Sequence, residues 1–245
     1  MGIHVVPLTE DYSYDDLVAI TAEAFATAKN AASAAIAGLL EGNESAFATV
    51  KHSEERLDGF DRELDQYLAP AIMQATPEQA RELLACMKLM IDLERIGDLV
   101  ASFSERSAVV RNRIEMDDLE QLTRMACVLE NMLIESSQAF SERNVDHALN
   151  VLRADSEMDR FRNLLLVRHT ENPEGLRGQQ SLHVLLMAVA LERAGDHAKN
   201  LAEDICHLVT GQTLRHLMQS KDKPLEQLYL DWLARQNTTK AAEGL

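Results

Sequence analysis

Between a few breaks marked by glycine and proline, apolar residues recur at helical spacing, and the pattern predicts six helices. Ser13-Tyr14-Asp15-Asp16 is a capping signal that opens a helix reaching about Glu41, where Gly42-Asn43 breaks it. A second helix is expected from about Glu44 to Ala69, stopped by Pro70. Thr76-Pro77-Glu78 restarts the chain, with Thr76 as N-cap and proline at the first helical position. The third helix then runs from Pro77 to about Val109, and the fourth from about Met116 to Glu142. Asn144 caps a fifth that reaches about His169. After a loop at Thr170–Gly175, a sixth runs from about Arg177 to Thr210, with Gly211 as C-cap. Beyond the break Lys221-Asp222-Lys223-Pro224, Leu225, Leu228, Tyr229, Trp232 and Leu233 form one more apolar stripe.

The chain repeats itself. Glu94-Arg95-Ile96-Gly97-Asp98 returns as Glu192-Arg193-Ala194-Gly195-Asp196, and Glu54…Asp58-Gly59-Phe60-Asp61 returns as Asp155…Asp159-Arg160-Phe161-Arg162. Glu41-Gly42-Asn43 aligns with Glu142-Arg143-Asn144. The offset shortens between the second and third helix of each half, as a loop deletion in a duplicated unit would produce. The expected fold is all-α: two tandem antiparallel three-helix bundles, residues 14–110 and 114–216, followed by an extension at 217–245 with a short amphipathic helix.

Composition supports helices. Aromatics are 4% of the chain and prolines number five, which disfavours sheets. A formal net charge of -16 repels phosphate backbones, so nucleic acid is not an expected partner. Cys86, Cys127 and Cys206 are scattered, which argues for buried structural thiols rather than disulfides or a zinc site. Neither a signal peptide nor a membrane-length apolar run is visible, so a cytoplasmic protein that meets membranes only through protein partners is expected.

The candidate chemistry lies in four acidic pairs of one spacing: Glu54/Asp58, Glu94/Asp98, Asp155/Asp159 and Glu192/Asp196. Residues four apart share a helix face, with Cβ atoms about 5–6 Å apart, so each pair is self-repelling. Four such pairs, placed equivalently in both repeats, point to cation binding in the groove between the second and third helix of each bundle. Iron, zinc, manganese or magnesium would suit such oxygen ligands. Asn200, one turn beyond Asp196, can add a carbonyl oxygen; its counterpart is Ser102, so the second site is expected to be the better one. Gly97 and Gly195 each carry a mid-helix cost of about 1 kcal/mol, which implies a close approach there by a helix or by a bound cluster. The bland alternative is a set of solvated acidic faces. Arg95 and Arg193 are expected in ordinary salt bridges, and His197 in a structural or surface role.

The Glu-x-x-His pattern of di-iron bundles is absent, the nearest approach being Asp204-Ile205-Cys206-His207, as are HExxH, P-loop and GxSxG motifs. With no separate nucleophile or general base, a phosphohydrolase is the weaker reading, and the chain is not expected to be an enzyme.

Leu93-Glu94-Arg95-Ile96-Gly97-Asp98 and Leu191-Glu192-Arg193-Ala194-Gly195-Asp196-His197-Ala198-Lys199-Asn200-Leu201-Ala202-Glu203 resemble the two signature segments of the PhoU family. Leu208–His216 resembles that family's last-helix terminus. The resemblance covers roughly residues 14–216, with departures at Ser102, Gln79 and Val189. It implies metal clusters at the E/D-x-x-x-D motifs and a homodimer. It also implies restraint of phosphate import through a Pst-type ABC transporter and signalling to a PhoR-type sensor kinase. An adaptor of another phosphate carrier and a metal-free interaction module are the alternatives.

Overall fold

A computed structural model describes residues 12–171 and 179–211. Six helices occupy them: α1 (Tyr14–Glu41), α2 (Glu44–Gln74), α3 (Pro77–Val110), α4 (Met116–Glu142), α5 (Val145–Glu171) and α6 (Gln179–Thr210). A single 3-10 turn, Arg111–Arg113, joins α3 to α4. The stripe at Leu225–Leu233 and the extension at 217–245 lie outside the described residues.

Local chemistry sets the ends. Ser13 and Asp16 form a capping box at α1, and Thr76 and Gln79 form one at α3. The Asn144 side chain accepts from the Asp146 N–H at 2.9 Å. Gly42 and Gly211 end α1 and α6 in the left-handed region, at φ 65° and 71°. Arg143 takes the same conformation, φ 54°, at the end of α4, where the repeat places it opposite Gly42.

Pro70 does not stop α2, which continues through it to Gln74. Proline removes one helical hydrogen bond, to the carbonyl of Gln66, a residue exposed to solvent. Leu68 and Ala71 on either side of it are buried in the core and hold the last turn in place. Tertiary packing thus outweighs the local break.

The two bundles share their core. α1 packs on α2, α3 and α4; α6 packs on α3, α4 and α5. Hence α1, α3, α6 and α4 make a central ring of four helices, flanked by α2 on one side and α5 on the other. Phe25 of α1 stacks on Phe140 of α4, ring centroids 5.5 Å apart. α3 and α6 run antiparallel: Lys88 meets Asp204 at 3.1 Å, while Asp92 meets His197 at 2.7 Å. Cys86 and Cys206 are buried, and desolvation pushes their thiols up to about 11 and about 12. Cys127 is exposed, contrary to expectation, because α4 turns Met125, Ala126 and Leu129 inward instead.

Candidate metal centre

The ring fixes where the acidic pairs can go. α2 covers α1 and α3, so the α2/α3 groove opens on the face formed by α3 and α6; the α5/α6 groove opens on the same face by the equivalent packing. All four pairs lie along these two grooves.

In the first groove, Leu57 is buried between Glu54 and Asp58 and rests against Gly97. A Cβ at Gly97 would stand 2.6 Å from Leu57 Cδ1. The glycine therefore answers to a neighbouring helix, and its absence of side chain lets α2 and α3 close up. That closure brings one oxygen each from Glu54, Asp58 and Asp98 within 4.8 Å of one another. Three half-buried carboxylates at such a separation fit a hard or borderline cation, which would draw them together and offset their repulsion. Glu94 stands beside them, and Arg95 bridges it to Asp98 at 3.3 and 3.2 Å. Burial, then the charges of Asp58 and Asp98, pushes Glu54 above its ordinary value; burial and then Asp98 do the same to Glu94. Asp61, one turn along α2, is raised by burial and then by Asp65 and Asp58. Each of these shifts means that negative charge is held against its preference. A cleft of about 520 Å³ continues from Glu54 and Asp98 along the groove, floored by Phe47, Val50 and Ala101 and edged by Lys51 and Glu105.

The second groove has the same frame with other contents. Gly195 faces Met158 of α5, as Gly97 faces Leu57. Lys199 reaches across to Asp155, Nζ to Oδ2 2.5 Å. Arg162 lies 3.0 Å from Asp159 and 3.6 Å from Glu192. Burial, and then Asp155, raises Asp196; burial also raises Glu192, with Arg162 opposing. Asn200 is engaged elsewhere, its amide donating to Asp92 of α3 at 3.3 Å, next to His197. Among the described residues only the first groove gathers three ligands within reach of one ion.

The PhoU-domain model matches residues 21–107 and 122–205, once within α1–α3 and once within α4–α6. The chain belongs to the PhoU family. It is 28% identical over 199 residues to the phosphate-specific transport system accessory protein PhoU homolog 1 of Thermotoga maritima, covering 78% of this chain and 85% of that protein. The Pseudomonas aeruginosa homolog is 28% identical over 196 residues, 75% and 78% of the two chains. Crystal structures of PhoU from P. aeruginosa and Streptococcus pneumoniae share the fold, each with a TM-score of 0.73, at 23% and 19% identity. They cover 81% and 82% of this chain, and 97% and 96% of theirs.

Two repeat positions differ in charge between the grooves, one inside the repeated motifs and one beyond them. Asp61 in the first PhoU repeat corresponds to Arg162 in the second, and Ala101 to Lys199. The same alignment that paired the acidic motifs carries both, three residues beyond each second carboxylate.

Proposed function

We propose that this protein is a cytoplasmic, non-catalytic accessory protein of a phosphate-specific transport system. In this reading it restrains import through a Pst-type ABC transporter and reports phosphate sufficiency to a PhoR-type sensor kinase. It acts as a homodimeric adaptor, and docking takes place on the face that carries both acidic grooves. Glu54, Asp58 and Asp98 would hold the metal ion of the first groove, with Glu94 beside them; iron, zinc, manganese and magnesium all suit that donor set. The ion would lock α2 to α3 and remove the repulsion that keeps those carboxylates apart.

The observation that carries this reading is the family match across both repeats, joined to the carboxylates gathered along the α2/α3 and α5/α6 grooves. Among the described residues no helix is long and apolar enough to cross a membrane, so contact with a transporter would be made through protein surfaces. The relatives from Thermotoga maritima and Pseudomonas aeruginosa are phosphate-specific transport system accessory proteins, and from them comes the transport system in this reading.

The test is deletion of the gene in its own host. Phosphate-starvation genes should switch on in phosphate-rich medium, and reintroducing the wild-type gene should switch them off. Normal repression in the deletion strain would remove the regulatory assignment.

A further inference from the structure

We propose that the two grooves are not equivalent metal sites: the first takes a metal ion, while the second carries its own cations, Lys199 and Arg162, and takes none. The inference rests on the reading that the first carboxylates hold metal, and it concerns what this chain has done to the second set.

Three observations converge. First, the repeat alignment shows two charge replacements at one site: Asp61 becomes Arg162 and Ala101 becomes Lys199. Second, both cations are where a metal would be. The Lys199 ammonium is 2.5 Å from Asp155, and the Arg162 guanidinium spans Asp159 and Glu192 across the groove. Three of the four expected ligands are thereby engaged, and Asn200 is drawn off to Asp92. Third, space differs as charge does: Ala101 lines the open cleft of about 520 Å³ in the first groove, where a long side chain at the equivalent position would project into it.

The electrostatics follow. In the first groove Arg95 is the cation that pairs with the expected ligands, bridging Glu94 and Asp98, while Lys51 and Arg62 stand at the edges beside Glu54 and Asp61. In the second, four carboxylates already hold an ammonium and a guanidinium. An incoming dication must expel a tethered lysine whose local concentration is fixed by the helix, and it gains less attraction for doing so. The second groove is then a copy with half its carboxylate charge compensated by its own side chains, which keeps α5 on α6 whatever the metal supply, whereas the first responds to it.

Equilibrium dialysis of chelator-stripped full-length protein against Mn(II) alone, with bound metal counted by mass spectrometry, tests this. Circular dichroism would establish that each variant is folded. Asp58→Asn with Asp98→Asn should abolish at least nine-tenths of the bound manganese, and Asp155→Asn with Asp196→Asn should leave it unchanged. Installing the first repeat's residues, Arg162→Asp with Lys199→Ala, should about double the metal bound. A loss in the second-half variant as large as in the first-half variant would overturn the inference while leaving metal binding intact. A flat wild-type titration would overturn the metal reading itself.

Discussion

At the residue scale, the outcome at each position depends on what stands opposite it. Gly97 was legible as a close approach, but only the structure supplies Leu57 as its neighbour. Arg143 was legible as the counterpart of Gly42 and takes the same left-handed cap, but its reach to Glu82, with Tyr14 donating to the same carboxylate at 2.6 Å, comes from the packing of the two halves. His147 shows how a single contact makes stability depend on pH. Its Nδ1 lies 2.8 Å from Glu135 across α4 and α5, and that hydrogen bond raises the imidazole above its ordinary value of 6.5. A raised folded value stabilises below the unfolded one and is lost as pH rises through it. Stability should therefore fall as pH climbs from about 6.5 through the raised value. His147→Gln should flatten that slope, converging with wild type at higher pH, in urea titrations taken between pH 5.5 and 8.5. An unchanged slope in the variant would assign the dependence to other groups.

At the element scale, the ends of helices were written in the sequence wherever a cap could be read locally. Ser13, Thr76, Asn144 and Gly211 all act where the local chemistry places them. Pro70 was misread because its effect is not local: a core contact one turn away decides whether a helix survives a missing bond. That makes it an interior proline whose missing hydrogen bond the fold tolerates. Pro70→Ala restores a donor for the Gln66 carbonyl, and the gain is offset in part by a looser unfolded chain. The variant should be more stable by about 2 kcal/mol, seen as a higher urea midpoint with an unchanged slope. A destabilised variant would mean that the ring of the half-buried proline contributes packing that alanine cannot replace.

At the scale of the whole molecule, the duplicated halves behave as one body. Phe25, Leu17 and Phe140 are buried in a core shared across the ring, and His197, Asn200 and Lys88 tie α3 to α6. A fragment ending at residue 113 exposes the faces of α1 and α3 that α4 and α6 cover. It should self-associate at micromolar concentration, measured by light scattering. A monomeric fragment with full helicity and a cooperative transition would instead give each bundle a sufficient core of its own. The sequence by itself determined the six helices, their duplication and the four acidic pairs, because spacing, caps and repeats are properties of neighbouring residues. It did not determine which pairs converge. That was decided by the tertiary structure, since the separation of carboxylates on different helices, and the cation that reaches them first, depend on how helices distant in sequence close together. Ala101 lines the cleft of one groove and Lys199 reaches across the other to Asp155; both letters stood in the chain, but only the packing of the helices shows what each one faces.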